Sequence, residues 1–421
     1  MRRRRLPTLA LALTAVGLNA CGGDGPEALQ VQRDTIGDTV IVRTLSGSAW
    51  QADARLEPEM RIGAFDGEDV YILGDVAGMA VAPDGSIYLY DRQVPALRKY
   101  GPDGEFVATF GREGGGPGEY RNSDGGLAVL ADGRVLLRDP GNARITVYSP
   151  TGETLETWPL RGAHFTSRRF YVDTAGRAYT QIWGRTEDGE RYSGLQPFAA
   201  DGITLDSLLA PTWEYEEAAI SLRTEQMAMT NSVPFSPQPH WTFSPHGYFV
   251  GGLSSDYAID LFRPDSTVLR IRRDTEPVPV AAAEKDAVRM SRIRNFQQVA
   301  PDWQWNGPSI SDTKPFFQDI AAGRDGRIWV RLHQPGYLAE EADPQDPRSV
   351  DRWAEPTVWD VFEPDGTYLG QVHASEGFST HPEPVFGAGH VWAVTTDELD
   401  VEYVTRFRIV RGALDEGNAT E

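Results

Sequence analysis

The strongest constraint on this chain is a pattern that recurs without a gap. Residues 78–110, GMAVAPDGSIYLYDRQVPALRKYGPDGEFVATF, align with residues 126–158, GLAVLADGRVLLRDPGNARITVYSPTGETLETW, at an offset of 48. Gly78 falls on Gly126, Asp84 on Asp132, Asp91 on Asp139, Tyr100 on Tyr148, Gly104 on Gly152 and Phe110 on Trp158. Each copy reads as four short strands, with an Asp-Gly turn between the first two and a Pro-containing glycine turn between the last two. SIYLY and RVLL are nearly all apolar, as strands sandwiched between neighbouring sheets must be.

Weaker copies follow: TAGRAYTQIW with QPFAADGITLDSLL, SPHGYFVGGL with IDLFRPDSTVLRIR, GRDGRIWVRL with WDVFEPDGTYLGQV, and GAGHVWAVTT with YVTRFRIV. That makes six units. Four strands every 40 to 50 residues is the signature of a β-propeller, whose blades pack radially and leave only short protected edges. The expected fold is therefore all-β, a six-bladed β-propeller over 38–411 with four-stranded blades. The last unit lacks an outer strand, because GALDEGNATE is polar, and 412–421 reads as a disordered tail. DTVIVRTL near the start is an unassigned strand, so residues 38–45 are expected to complete the sixth blade and close the ring.

The segment Gly126-Leu-Ala-Val, Asp132-Gly133, Asp139-Pro-Gly-Asn142-Ala-Arg144-Ile145 resembles the NHL repeat. FGREGGGPGEY, residues 110–120, looks like the connector after the first blade of bacterial six-bladed propeller lipoproteins of that type, and PFFQDIAAGRDGRIWVRL is similar to their fifth-blade segment. The resemblance implies a fold; propellers host many unrelated activities.

The glycine-rich stretch is not a nucleotide loop. Gly111 and Gly116 have phosphate-loop spacing, but Pro117 and Gly118 stand where Lys and Ser or Thr are needed. Gly114, Gly116 and Gly118 recur at spacing two and lead into no helix start, so the dinucleotide fingerprint fails too.

Residues 1–20 read as an export signal: four arginines, then an apolar run from Leu6 to Leu18 that is too short to span a bilayer. Leu18-Asn19-Ala20-Cys21 resembles the bacterial lipobox, which implies acylation of Cys21, with residues 21–37 as a flexible tether. Gly22 after the cysteine favours, by the same resemblance, the outer membrane of a diderm bacterium. With Cys21 the single cysteine, no disulfide can brace the fold. The chain's formal charge is −21; without the leader it carries 61 acidic against 36 basic residues. Such a surface disfavours nucleic acid and anionic lipid, leaving the lipid anchor as the expected membrane contact.

Propeller topology sorts loops by face. The turns between strands one and two, and three and four, are uniformly tight, whereas the bulk falls in insertions at 212–240, 281–315 and 333–356 on the other face. Loops elaborated on one face of a rigid scaffold are where binding concentrates. Within 281–300, Ala283, Ala287, Met290, Ile293 and Ala300 fall near one face of a helix, with Lys285, Arg289 and Arg292 on another and Arg294 adding a fourth cation. The cations suit an anionic ligand, or simply a helix capping the ring. Trp213, Trp241, Trp303 and Trp305 offer stacking surfaces for sugars or peptides, or pack the insertions onto the ring. Arg112, Glu119 and Tyr120 of the crossover are candidates for the rim of a site.

Asp91 and Asp139, at equivalent ends of second strands, are weak candidates for cation ligands, with backbone-bracing the alternative. The seven histidines show no zinc-helix spacing; His240 and His333 lie in or near insertions and join the candidates, His240 as a metal ligand. The leading expectation is a membrane-anchored binding or scaffold module for a peptide, glycan or envelope partner protein, with no cofactor. The alternative is a metal-dependent lyase or lactonase holding Ca or Zn in the central channel, as some six-bladed propellers do. A further possibility is a subunit of an envelope complex. The side chains lining the channel mouth discriminate among these readings.

Overall fold

The computed structural model describes residues 27–412 except 122, 161–165, 186–187, 190, 344 and 347–348. The signal segment, Cys21, His164 and all but the first residue of the C-terminal tail lie outside the described residues.

The chain is mostly β and propeller-like. The first repeat forms an antiparallel sheet of Val76–Val81, Ile87–Asp91, Ala96–Tyr100 and Phe106–Phe110 in sequence order. The second forms Leu127–Val129, Val135–Asp139, Arg144–Tyr148 and Thr154–Pro159 in the same order. A third four-stranded sheet spans Thr166–Val172 to Leu208–Leu209. Gly85 and Gly133 adopt φ of 87° and 86° in the predicted Asp-Gly turns, a conformation that costs glycine little and other residues more.

The termini depart from expectation. Thr39–Ser46, the apolar strand expected to close the last unit, instead runs parallel to Val268–Arg273 and extends the sheet that begins at Pro239–Phe243. Val42 is fully buried there, against Leu269 and Ile271. Gln30–Ile36, expected within the tether, forms an antiparallel hairpin with Thr39–Ser46 whose outer strand is exposed along its length. The strand that joins the final unit is Ala54–Ile62, antiparallel to Glu402–Arg411. It also touches Tyr368–His373 in parallel at two positions, which merges two four-stranded groups into one eight-stranded sheet.

The buried clusters link these groups in succession. Tyr88, Tyr90 and Phe110 pack against Leu127, Val135 and Tyr148 of the next sheet. Leu136 and Trp158 then meet Ala178 and Phe198, and Tyr179 meets Phe243. Ile259 and Ile271 meet Ile320 and Val330, and Trp329 and Trp359 meet Phe386 and Phe407. Ile62, Val394 and Val404 finally pack on Val76, Ile87 and Tyr100 of the first sheet, so the last interface returns to the beginning. Gly78 marks how closely the first strands approach, since a Cβ there would lie 1.9 Å from the carbonyl oxygen of Gly125.

One helix, Ala282–Gln297, follows Val268–Arg273. Its buried residues are Glu284, Ala287 and Phe296, whereas Met290, expected on one face with Ala287, is 41% exposed. The face is turned because the helix docks through a buried acid as well as through apolar residues. Among the described residues no helix is long and apolar enough to cross a membrane.

Candidate functional site

First strands of successive sheets surround a cavity of about 340 Å³. Its wall takes Gly78, Leu127, Phe170, Thr242, Ala321 and Phe386 from six different first strands, together with the crossover 380–384. Its polar groups come from positions far apart in sequence. Arg169 ion-pairs with Asp319 at 3.3 Å and with Glu383 at 3.1 Å. The charge of Glu383, working against burial, holds its guanidinium above the ordinary arginine value. Arg331 donates from Nη1 to the Thr380 hydroxyl at 2.8 Å, while its buried Nε has no acceptor. Burial lowers the Arg331 pKa, and the Asp319 and Glu355 charges oppose that shift. His240, just beside this group, packs edge-on against Phe317. Burial lowers its pKa, with the cations of Arg331 and Arg169 adding to the shift and Asp319 opposing it.

Trp329 and Trp359 form the apolar side of the cavity, with Trp329 stacked on Phe386 at 4.4 Å between centroids. The Trp329 indole Nε1 is buried without an acceptor. Trp329 and Arg331 are two residues apart on the strand Ile328–Leu332, so strand periodicity puts them on one side of it.

A second polar cluster fixes the helix to the rest. Lys314, fully buried, donates to Glu284 of the helix at 2.6 Å, to Glu355 at 2.9 Å and to the Gln334 carbonyl at 3.0 Å. Glu355 also receives His333 Nδ1 at 3.1 Å and the Gln334 backbone N–H at 2.8 Å. Burial works to raise the Glu355 pKa, but His333, the Gln334 N–H and Lys314 together hold it below the ordinary value. This network is an anchor: removal of Lys314 leaves the Glu284 and Glu355 carboxylates without their shared cation.

No protein-family model and no curated protein matches this chain. Among solved structures it is similar to a member of the DUF4221 family from Bacteroides vulgatus, at 9% identity and a TM-score of 0.51, covering 85% of this chain and 99% of that one. A streptogramin B lyase superposes at a TM-score of 0.39 and 11% identity, covering 86% and 100% of the two chains. At these identities the likeness concerns fold.

The predicted residues scatter around this centre. Arg112 ion-pairs with Glu119 at 2.7 Å, and Glu119 accepts the Gly116 N–H at 2.7 Å, which pulls the Glu119 pKa down together with the Arg112 contact. Tyr120 is not at a rim. It is 1% exposed, lies edge-on to Tyr90 and receives the Leu97 N–H on its hydroxyl. The 110–120 crossover is thus braced on itself, with Arg144 donating to the carbonyls of Gly116 and Glu119.

Asp91 and Asp139 are buried and occupied. Asp91 accepts backbone N–H groups of Gly74, Asp75, Gln93 and Val94, and Asp139 accepts that of Arg121 and the Asn142 amide. They fasten the entry to their own sheets, and neither lines the cavity. Among the described residues no group of three or more His, Cys, Asp or Glu is placed to hold a metal ion.

The tryptophans pack the insertions. Trp303 donates to the Ser221 carbonyl at 2.8 Å and lies against Phe296 within a small core of Ile220, Leu222, Val233 and Ile310. Trp305 sits at the edge of this core under the Arg289 guanidinium. Trp213 packs on Phe262, and Trp241 stacks on Tyr171 in the cavity wall. Lys285 pairs with Asp312, and Arg294 donates to the Ser349 carbonyl. Arg292 and His333 do come together, lining a groove of about 650 Å³ between the helix and the third insertion. Arg169 and Glu383 lie in no motif, and Asp319 and Arg331 lie in PFFQDIAAGRDGRIWVRL, whose resemblance marks a blade and not a site.

Proposed function

We propose that this chain is an exported, six-bladed propeller lipoprotein, anchored through Cys21 in the outer membrane, that acts as a binding or scaffold module. The cyclic order of the sheet interfaces supports six blades, with Ala54–Ile62 as the closing strand and the helix as an insertion between blades four and five. The NHL-like pattern of residues 126–145 fits the second blade.

The observation that carries the binding reading is the axial cavity, whose wall draws on six first strands and whose charged groups converge from four separate segments. Arg169, Asp319, Arg331 and Glu383 lie at first-strand starts, second-strand ends and crossovers, the side of the topology that also carries the insertions. A ligand taken there has a rigid floor, and the insertions supply surface for a larger partner such as a peptide, glycan or envelope protein.

Photo-crosslinking in native envelopes tests the reading. A photoreactive residue at Val385, in the cavity wall, should capture a ligand or partner that the same residue at exposed Val107 does not. Capture at Val107 alone would refute it.

A further inference from the structure

We propose that the axial cavity is a receptor for a small organic monocarboxylate, held at its carboxylate by Arg331 and at its apolar face by the Trp329–Trp359 wall. The inference rests on the reading of the cavity as the ligand site and adds the chemical class of the ligand.

Charge comes first. Among the described residues lining the cavity, the fixed charges are Arg169, Arg324 and Arg331 against Asp319 and Glu383. Three guanidinium groups against two carboxylates leave one positive charge in excess among these five residues, inside a strongly acidic protein. Both carboxylates are engaged by Arg169. Arg331 has no carboxylate within ion-pair distance among the described residues, and its one side-chain partner is the neutral Thr380 hydroxyl. A half-buried guanidinium without a carboxylate partner is under-solvated and gains from an anion that brings acceptors with it.

Geometry narrows the anion. The guanidinium fork matches a planar carboxylate in a bidentate arrangement. Nε of Arg331 and the Trp329 indole N–H lack acceptors but are closed off from the cavity space, so contact with a ligand falls to the outer Nη groups of the guanidinium. A single net charge suits a monoanion, and a phosphate dianion would face Asp319 and Glu383 across a small space. The volume, about 340 Å³, lies at the small end of ligand sites and fits one ring or short chain rather than a polymer segment. Trp329, Trp359 and Phe386 in the lining give such a ligand an apolar side.

Calorimetric titration of the mature protein at low ionic strength tests this, with D-glucuronate and benzoate as carboxylate probes, methyl glucoside as the neutral analogue and inorganic phosphate as the competing anion. Saturable binding of a carboxylate probe is expected, weakened at least about tenfold in Arg331→Gln, partly retained in Arg331→Lys and unchanged in Arg112→Gln. Unchanged thermal melting of Arg331→Gln establishes that the loss is not unfolding. Binding of methyl glucoside with equal affinity, insensitive to Arg331→Gln, overturns the carboxylate class and leaves the cavity as ligand site. Phosphate binding preferred over both carboxylates overturns it likewise. No binding of any probe, together with crosslinks confined to Val107, overturns both readings.

Discussion

Asp360→Ala tests how adjacent sheets are locked together. The Asp360 carboxylate is fully buried on Val358–Phe362 and accepts Arg273 Nη1 at 2.7 and 2.8 Å, the Tyr257 hydroxyl at 2.5 Å and the Tyr368 hydroxyl at 2.9 Å. Arg273 belongs to the preceding sheet and Tyr257 to a turn of it, just before Ala258–Phe262, so one carboxylate ties two sheets. Its removal leaves the guanidinium and two hydroxyls without their acceptor. Breaking a buried pair from one side costs about 3–5 kcal/mol. Arg273 retains 24% side-chain exposure and regains some water, which places the expected loss near the lower bound, roughly 3 kcal/mol. For a cooperative unit of about 360 residues, unfolding entropy is on the order of 0.8 kcal/mol/K, so the melting temperature should fall by roughly 4 °C. Differential scanning calorimetry measures it. The double variant Asp360→Ala/Arg273→Met should lose less than the sum of the single changes, because the orphaned cation is gone. A shift under about 1 °C, or strict additivity of the two changes, would show that Asp360 does not lock the two sheets.

Four further outcomes follow from the same structure. Leu56→Ala on the closing strand, where the side chain is 3% exposed, should cost about 2–5 kcal/mol in denaturant unfolding, whereas Val31→Ala on the exposed hairpin should stay within about 0.5 kcal/mol; equal effects would contradict the assignment of Ala54–Ile62 as the closing strand. Lys314→Met leaves Glu284 and Glu355 facing each other and should raise proteolysis within 281–315 before global unfolding, and uniform protection would show that the cluster does not hold the helix. Burial lowers the pKa of His240 and of His373 below 6.5, so on acidification the unfolded rings take up protons before the folded ones. Stability should therefore be level above about pH 7.5 and decline as pH falls through about 6.5, until the folded rings also protonate; a denaturation midpoint that stays flat from pH 8 to 5.5 would contradict it. Cys21→Ala should move the protein from the membrane fraction to the soluble one and abolish palmitate labelling, and retention in the membrane fraction would refute the anchor.

The fold was legible where burial wrote it into the residue types. Ile87–Asp91 and Val135–Asp139 are buried at every position, and their apolar runs and Asp-Gly turns mark the strands directly. The closing strand was hidden for the opposite reason. Ala54–Ile62 carries Arg55, Glu57, Pro58, Glu59 and Arg61 because it packs one face and leaves the other to solvent, whereas Thr39–Ser46 is more apolar and attracted the assignment. The site was less legible still. Arg169, Asp319, Arg331 and Glu383 span more than half the chain and meet because the sheets surround a common centre. His333 was picked out by its place in an insertion, yet its partner Glu355 and the buried Lys314 had no signal, since a lone lysine reads as surface. Asp91 and Asp139 were visible as equivalents across the repeat, and that equivalence reflects a shared turn.

A cavity-filled variant asks whether the axial cavity holds a ligand. Ala321 lines the wall, and Ala321→Trp fills the space beside Arg331 and Trp329. The mature protein and this variant, matched for secondary structure by circular dichroism, are each incubated with a small-molecule extract of bacterial envelopes, washed and denatured, and the released compounds are measured by mass spectrometry. A compound released by the parent protein in near-stoichiometric amount and absent from Ala321→Trp is the expected result. Equal release from both, or none from either, would contradict it.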